Sequence, residues 1–229
     1  PVEYMTALLN ADQNDTERIA FFVQEAKKIH IDVLPPDINK SLRDFVPDDK
    51  NIRFGLLAVK NVGQNIVDAI VLERARGGAF QSFTEFLSRV DHKDLNKKSL
   101  ESLIKCGALD SLGVERNEAL SNIEEILKFI TNARRTKAQS SQSLFGNIAS
   151  SAMARLELLP NTPATNKEKL FWEKELMGLY ISDHPLKQYE EKLKTLSAKS
   201  VRDAVQIKNQ QLRFSVAGLI SNIKRISTK

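Results

Sequence analysis

Twice between residues 52 and 113 a glycine turn stands between two apolar stretches, and this punctuation leaves room for short helices and little else. In the first unit, Leu57-Ala58-Val59 leads into the turn Lys60-Asn61-Val62-Gly63. Ile66, Ala69 and Ile70 then set a helical stripe over Gln64 to about Arg76. Gly77-Gly78 ends it, because glycine takes the left-handed conformation past a helix C-terminus. In the second unit, Leu100, Leu103 and Ile104 form the apolar face of a helix over Asn96 to Lys105. Cys106-Gly107-Ala108-Leu109 turns the chain, and Asp110-Ser111-Leu112-Gly113 precedes the next helix.

This is the helix-hairpin-helix pattern. A glycine turn at a helix N-terminus leaves several backbone N–H groups unpaired and facing one way. With the helix dipole behind them they form an anion site suited to a DNA phosphate. Glycine lets the phosphate come close because it has no Cβ. The candidate DNA-binding residues are Lys60, Asn61, Val62, Gly63, Gln64 and Asn65, joined by Lys97, Lys98 and Gly107 of the second unit. Such contacts position a protein on DNA and read no sequence. The usual form carries a second glycine where Asn61 stands, and Asp110 beside the second turn disfavours phosphate there. The second hairpin is therefore expected to be mainly structural. An ordinary pair of capped helical turns, serving as a structural interdomain scaffold that binds no DNA, is the alternative reading.

The other elements follow from caps and breakers. Residues 14–30 read as a helix capped by Asn14 or Asp15, with Ile19, Phe22, Val23 and Ala26 on one face. Val33 to Asp37 must be extended around two prolines, and Asp37 to Lys50 reads as a loop or domain junction. Ser82-Phe83-Thr84-Glu85 matches a capping box that opens a helix to about Arg89. One long helix is expected from Glu115 to Arg135, then an exposed linker from Thr136 to Met153. A helix from Asn166 to Tyr180 should be broken by His184-Pro185, and a basic helix follows from Leu186 to Leu196. Leu212 to Ile220 alternates and reads as the first true β-strand.

Composition narrows the chemistry. The single cysteine, Cys106, excludes an internal disulfide framework and fits a reducing compartment. With three scattered histidines it leaves no closed zinc site. No apolar run reaches the roughly 18 residues of a membrane span, and no charged-then-apolar leader opens the chain. No phosphate-binding glycine loop, strand Asp-x-Asp or Ser/His/Asp set stands out; Cys106 reads as core and Asp48-Asp49 as a solvated turn. The net charge of +5 comes from 34 basic and 29 acidic residues, and residues 186–229 alone hold ten basic against three acidic side chains. That permits nucleic-acid binding without arguing for it. The ends read as cut from a longer protein.

Within the polar linker, Gln139 to Gly146 contains one strongly apolar pair, Leu144-Phe145. An apolar pair on such a segment serves either as anchors in a partner's pocket, with Gln142 and Ser143 beside them, or as packing on its own domain.

Several motifs in order resemble the bacterial replicative DNA polymerase III alpha subunit, the C-family polymerases. They are Val33-Leu34-Pro35-Pro36-Asp37-Ile38-Asn39, Ile52-Arg53-Phe54-Gly55-Leu56 and Lys60-Asn61-Val62-Gly63. Gly107-Ala108-Leu109-Asp110, Gly178-Leu179-Tyr180-Ile181-Ser182 and His184-Pro185-Leu186 continue the series. The resemblance implies a mainly α fold: a tandem helix-hairpin-helix domain with a short C-terminal β segment, a truncated OB-fold. It implies four parts: the end of the fingers at 1–44, the clamp-binding helix-hairpin-helix domain at 45–154, a helical connector at 155–204 and the start of an OB domain at 205–229. The implied partners are double-stranded primer-template DNA, the sliding clamp and other replicative holoenzyme subunits, in the cytoplasm and away from membranes. Clamp contacts would fall on Gln142, Ser143, Leu144 and Phe145, although the family's Gln sits three residues before Leu, where this chain has Ser141. The palm, with its Mg2+-binding aspartates, lies upstream in the family. This stretch is thus expected to hold no cofactor and to polymerise nothing alone.

Overall fold

The computed structural model describes residues 1–13, 15–140 and 156–196, with side chains to Thr136 in the second stretch, and isolated positions beyond 214. The chain divides into two compact units, Pro1–Ser182 and Asp183–Lys229. The first opens with α1 (Val2–Ala11) and α2 (Thr16–Lys28). Asp15 caps α2 by accepting the amides of Glu17 and Arg18, and Ile19 and Ala26 are buried as the periodicity predicts.

A three-stranded sheet follows: β1 (Val33–Leu34), β2 (Val46–Asp48) and β3 (Asn51–Arg53), in the order β1-β3-β2. β1 runs parallel to β3 with Val33 opposite Ile52, and β2 antiparallel to it with Val46 opposite Arg53. This corrects two expectations, a loop from Asp37 to Lys50 and a first strand at Leu212. Strands of two or three residues carry no alternation to read. Pro47 argues against a strand until β2 is seen to be an edge, where a missing N–H costs nothing. Nor is Asp48 a solvated turn residue: its carboxylate accepts Arg53 Nε at 2.9 Å, while Asp49 turns the hairpin at φ 55. The strand expected at Leu212–Ile220, and the OB segment with it, lies outside the described residues apart from isolated positions.

A 3₁₀ turn (Leu56–Ala58) leads to α3 (Gln64–Gly77), α4 (Phe83–Arg89), α5 (Lys97–Lys105), a second 3₁₀ turn (Asp110–Leu112), α6 (Arg116–Ser121), α7 (Ile123–Ser140) and α8 (Asn166–Met177). One core runs through these elements, and its ring pairs include Phe45–Phe54 and Phe80–Phe86 at 4.7 and 5.3 Å between centroids. At α4 half of the expected capping box forms: Ser82 Oγ accepts Glu85 N, but the Glu85 carboxylate reaches Gln81 N instead of Ser82 N.

The single helix expected from Glu115 to Arg135 is two helices, broken at Asn122. The Asn122 side chain donates to Glu118 O and Leu159 O and accepts Leu159 N at 3.0 Å. A buried amide used this way competes with the helix ladder. Asn10 clips Phe45, and Asn39 clips Phe80, with the same reciprocal pair of bonds. In each case one asparagine imitates a strand and fastens a loop that has no strand partner. α8 ends at Gly178, φ 77, six residues before His184-Pro185, because its left-handed turn is already closed by Gly178 N donating to Lys174 O. In the second unit a 3₁₀ turn (Lys187–Tyr189) precedes α9 (Glu190–Thr195).

Candidate nucleic-acid interface

The first hairpin is built on Asn61. It stands at φ 66, the left-handed region, where its short polar side chain is tolerated. Val62 is buried, and its amide closes the turn on Val59 O at 3.2 Å. The Val62 amide is therefore spent within the turn, so of the amides expected to face a phosphate this one is engaged. The next residues differ. Gly63 is the N-cap of α3 and carries no side-chain cap, and Gly63, Gln64 and Asn65 are exposed. Among the described residues no acceptor meets their three amides. A Cβ built on Gly63 would meet nothing within 4 Å. A 14-residue helix thus presents an uncapped, sterically open N-terminus to solvent.

Lysines stand on the elements that form and flank it. Lys60 is exposed at the start of the turn. Asn61 Nδ2 donates to Ser102 Oγ at 3.2 Å, so the hairpin lies against α5. Lys98 and Lys105 fall one turn before and one turn after Ser102 on that helix. Lys98 makes no ion pair among the described residues, whereas Lys97 Nζ is 2.6 Å from Glu124. That hydrogen-bonded carboxylate holds the Lys97 pKa above its ordinary value. Asn65 is also engaged, donating from Nδ2 to Asp94 at 3.1 Å.

The second hairpin is closed. Gly107 takes φ 82, as expected of a glycine turn, but its amide donates to Ile104 O and the next amide to Leu103 O. The Arg116 guanidinium lies against the Gly107 α-carbon, bonded to Asp110 at 3.0 and 2.6 Å and to Lys105 O. α6 is capped by the Glu115 carboxylate, which accepts Glu118 N and, from the returning chain, Ala164 N at 2.7 Å. Burial works to raise the Glu115 pKa, but the N–H groups of Ala164, Glu118 and Asn117 outweigh it and hold it low. An anion site here is filled by the protein's own carboxylates, so Gly107 shapes the turn and offers no amide.

Sequence reasoning found α8 but missed its contact with the first hairpin. The Lys60 amide donates to Leu176 O at 3.0 Å, so the last turn of α8 buttresses the first hairpin. The contact is backbone to backbone between distant segments, which leaves no side-chain signal to read. Cys106 is fully buried and its thiol is pushed up to about 12, as suits core packing. Gln142, Ser143, Leu144 and Phe145 lie outside the described residues. Among the described residues no group of three or more His, Cys, Asp or Glu is placed to hold a metal, and no helix is long and apolar enough to cross a membrane.

A family model described as a helix-hairpin-helix motif matches residues 30–119, which contain both hairpins. The chain is also similar to curated proteins. It is 36% identical over 232 residues to the DNA polymerase III subunit alpha of Borreliella burgdorferi, covering 100% of this chain and 20% of that protein. It is 40% identical over 192 residues to that of Deinococcus radiodurans (83% and 14%) and 39% over 189 residues to that of Thermus aquaticus (82% and 15%). The chain spans a fifth or less of the length of these relatives.

Proposed function

We propose a function from the premise that this chain belongs, as one segment, to the DNA polymerase III subunit alpha family. Its role is to hold double-stranded primer-template DNA by non-specific phosphate contacts during template-directed synthesis, with nucleotidyl transfer performed elsewhere in the whole protein. The observation that carries this reading is the open N-terminus of α3 at Gly63, Gln64 and Asn65. A phosphate oxygen accepts from these amides, the α3 dipole favours its charge, and Lys60 and Lys98 meet neighbouring phosphates. Nothing in this set reaches a base edge in either groove, so the grip follows the duplex and ignores its sequence. For the second hairpin we favour the scaffold reading, supported by Arg116, Asp110 and Glu115, which close the turn and fasten the returning chain. The family's Mg2+ chemistry has no ligand set among the described residues, and no step here depends on it.

A second activity rests on the sequence pattern alone. Leu144-Phe145, with Gln142 and Ser143, docks to the sliding clamp between the end of α7 and the return of the chain at Leu156. The layout proposed with it has the end of the fingers at 1–44, the clamp-binding domain at 45–154, a connector at 155–204 and an OB segment from 205, in a cytoplasmic holoenzyme with further subunits.

The test is a duplex titration at several salt concentrations. About three phosphates neutralised predicts affinity falling about 40-fold between roughly 50 and 200 mM salt, equally for unrelated sequences. Affinity that ignores salt, or follows base sequence, would refute the reading. For the clamp, Leu144→Ala with Phe145→Ala should abolish capture by a sliding clamp and leave duplex affinity unchanged; capture that persists refutes the docking.

A further inference from the structure

The open amides of the first hairpin are aimed by a backbone that needs outside support. Asn61 pays for its left-handed φ of 66 with strain that glycine would escape. Val62 is buried and locked to Val59 O, so the direction in which the chain enters α3 is set at Asn61. Two bonds from outside the hairpin fix that residue and its neighbour. One is the Lys60 amide to Leu176 O at 3.0 Å; the other is Asn61 Nδ2 to Ser102 Oγ at 3.2 Å.

Ser102 is 3% exposed and lies in the middle of α5, whose start is held by a full capping box between Asn96 and Ser99. Helix stability alone gives no reason for serine there, since alanine is the better helix former and a buried hydroxyl costs free energy unless it is bonded. The one side-chain group that this hydroxyl receives among the described residues is Asn61. Lys98 and Lys105 stand on either side of Ser102 along the helix.

We propose that Ser102 is a positioning residue of the phosphate site: through Asn61 it aims the Gly63–Asn65 amides and registers them against Lys98 on its own helix. It touches no DNA. The proposal rests on the reading of the first hairpin as the duplex grip.

The test is a double-mutant cycle on the full 229-residue chain, with a labelled mixed-sequence duplex as the probe. Ser102→Ala should weaken duplex affinity about two- to ten-fold, the worth of one hydrogen bond, with the melting temperature and the salt slope unchanged because no phosphate contact is removed. Asn61→Gly keeps the left-handed turn but cuts the link, so Ser102→Ala added to it should have no further effect. Wild-type affinity in Ser102→Ala overturns the proposal, and so does an equal loss in both backgrounds, which would mean that Ser102 acts by another route. In either case a weakened Gly63→Val variant leaves the duplex-grip reading standing. A Gly63→Val variant that binds like the wild type removes that reading and this proposal together.

Discussion

Gly63→Val separates binding from folding more cleanly than any other change in this chain. Gly63 has φ −81 and ψ 163, which valine adopts without strain, and its added side chain starts in open space. Two small effects on stability oppose each other. Removing a glycine from the unfolded chain stabilises by about 0.4–1 kcal/mol. Replacing glycine at an N-cap by an apolar residue costs about 0.5–1 kcal/mol. The balance is within about 1 kcal/mol, a few degrees at most in melting temperature for a unit this size. The effect on DNA is one-sided. The valine methyls occupy the space through which a phosphate reaches the Gly63, Gln64 and Asn65 amides. A hydrogen bond to a charged group is worth about 1.5–3 kcal/mol, so losing one lowers affinity about ten- to a hundred-fold. Anisotropy titration of a labelled duplex at fixed salt, with a thermal melt of the same samples, measures both. Unchanged affinity with unchanged melting would show that the phosphate is not at α3. Affinity and melting falling together would show that the fold itself needs Gly63, against the open space around it.

Four further outcomes follow from other sites. Lys98→Ala should lower the salt slope of duplex binding by about 0.9, the share of one phosphate, whereas Lys97→Ala should change it less because Lys97 is committed to Glu124. Gly55→Ala should destabilise the chain by about 1–3 kcal/mol in a urea titration, since a Cβ there meets the backbone of Asp44, Arg43 and Phe45 at 2.5 to 2.8 Å and backbone cannot swing aside. The Glu115 pKa is depressed in the folded state, so its contribution is present above its unfolded value of about 4.3 and lost as pH falls through the folded value. Urea midpoints should therefore fall less steeply for Glu115→Gln than for the wild type as pH drops from about 5 to 3, with Glu85 and Glu168, also depressed, still contributing in both. Cys106, raised to about 12 by burial, should resist thiol reagents at neutral pH until denaturant opens the core; rapid labelling of the native chain would contradict its packing.

What the residues disclosed and what they hid divide along the range of the interactions. Helices carried by a local stripe or a local cap were legible: Asp15 caps α2, Leu100, Leu103 and Ile104 form the buried face of α5, and Gly77-Gly78 ends α3. Elements decided by distant partners were not. β1 and β3 are direct neighbours that pair over only two residues, with β2 between them in sequence, and no local pattern of that length carries information. Asn122 looks like any polar residue within a helical stripe until Leu159 returns to it and splits the helix. The candidate site follows the same division. The uncapped glycine turn at α3 was legible, because it is a local product of a turn and a helix. Its supports, Leu176 O and Ser102 Oγ, were not.

Asn61 shows why a departure from a pattern can carry structure. Against the usual turn with two glycines it reads as a weakened match. In the fold it takes the left-handed φ that the glycine would take, so the geometry of the turn is kept. Glycine, however, has no side chain, and a glycine turn could be held only by its own backbone. Asparagine accepts a modest conformational cost and gains an amide that reaches α5. On the proposed reading a phosphate would meet three amides whose direction Asn61 and Leu176 fix, and a fixed dipole needs no surplus of lysines to attract it.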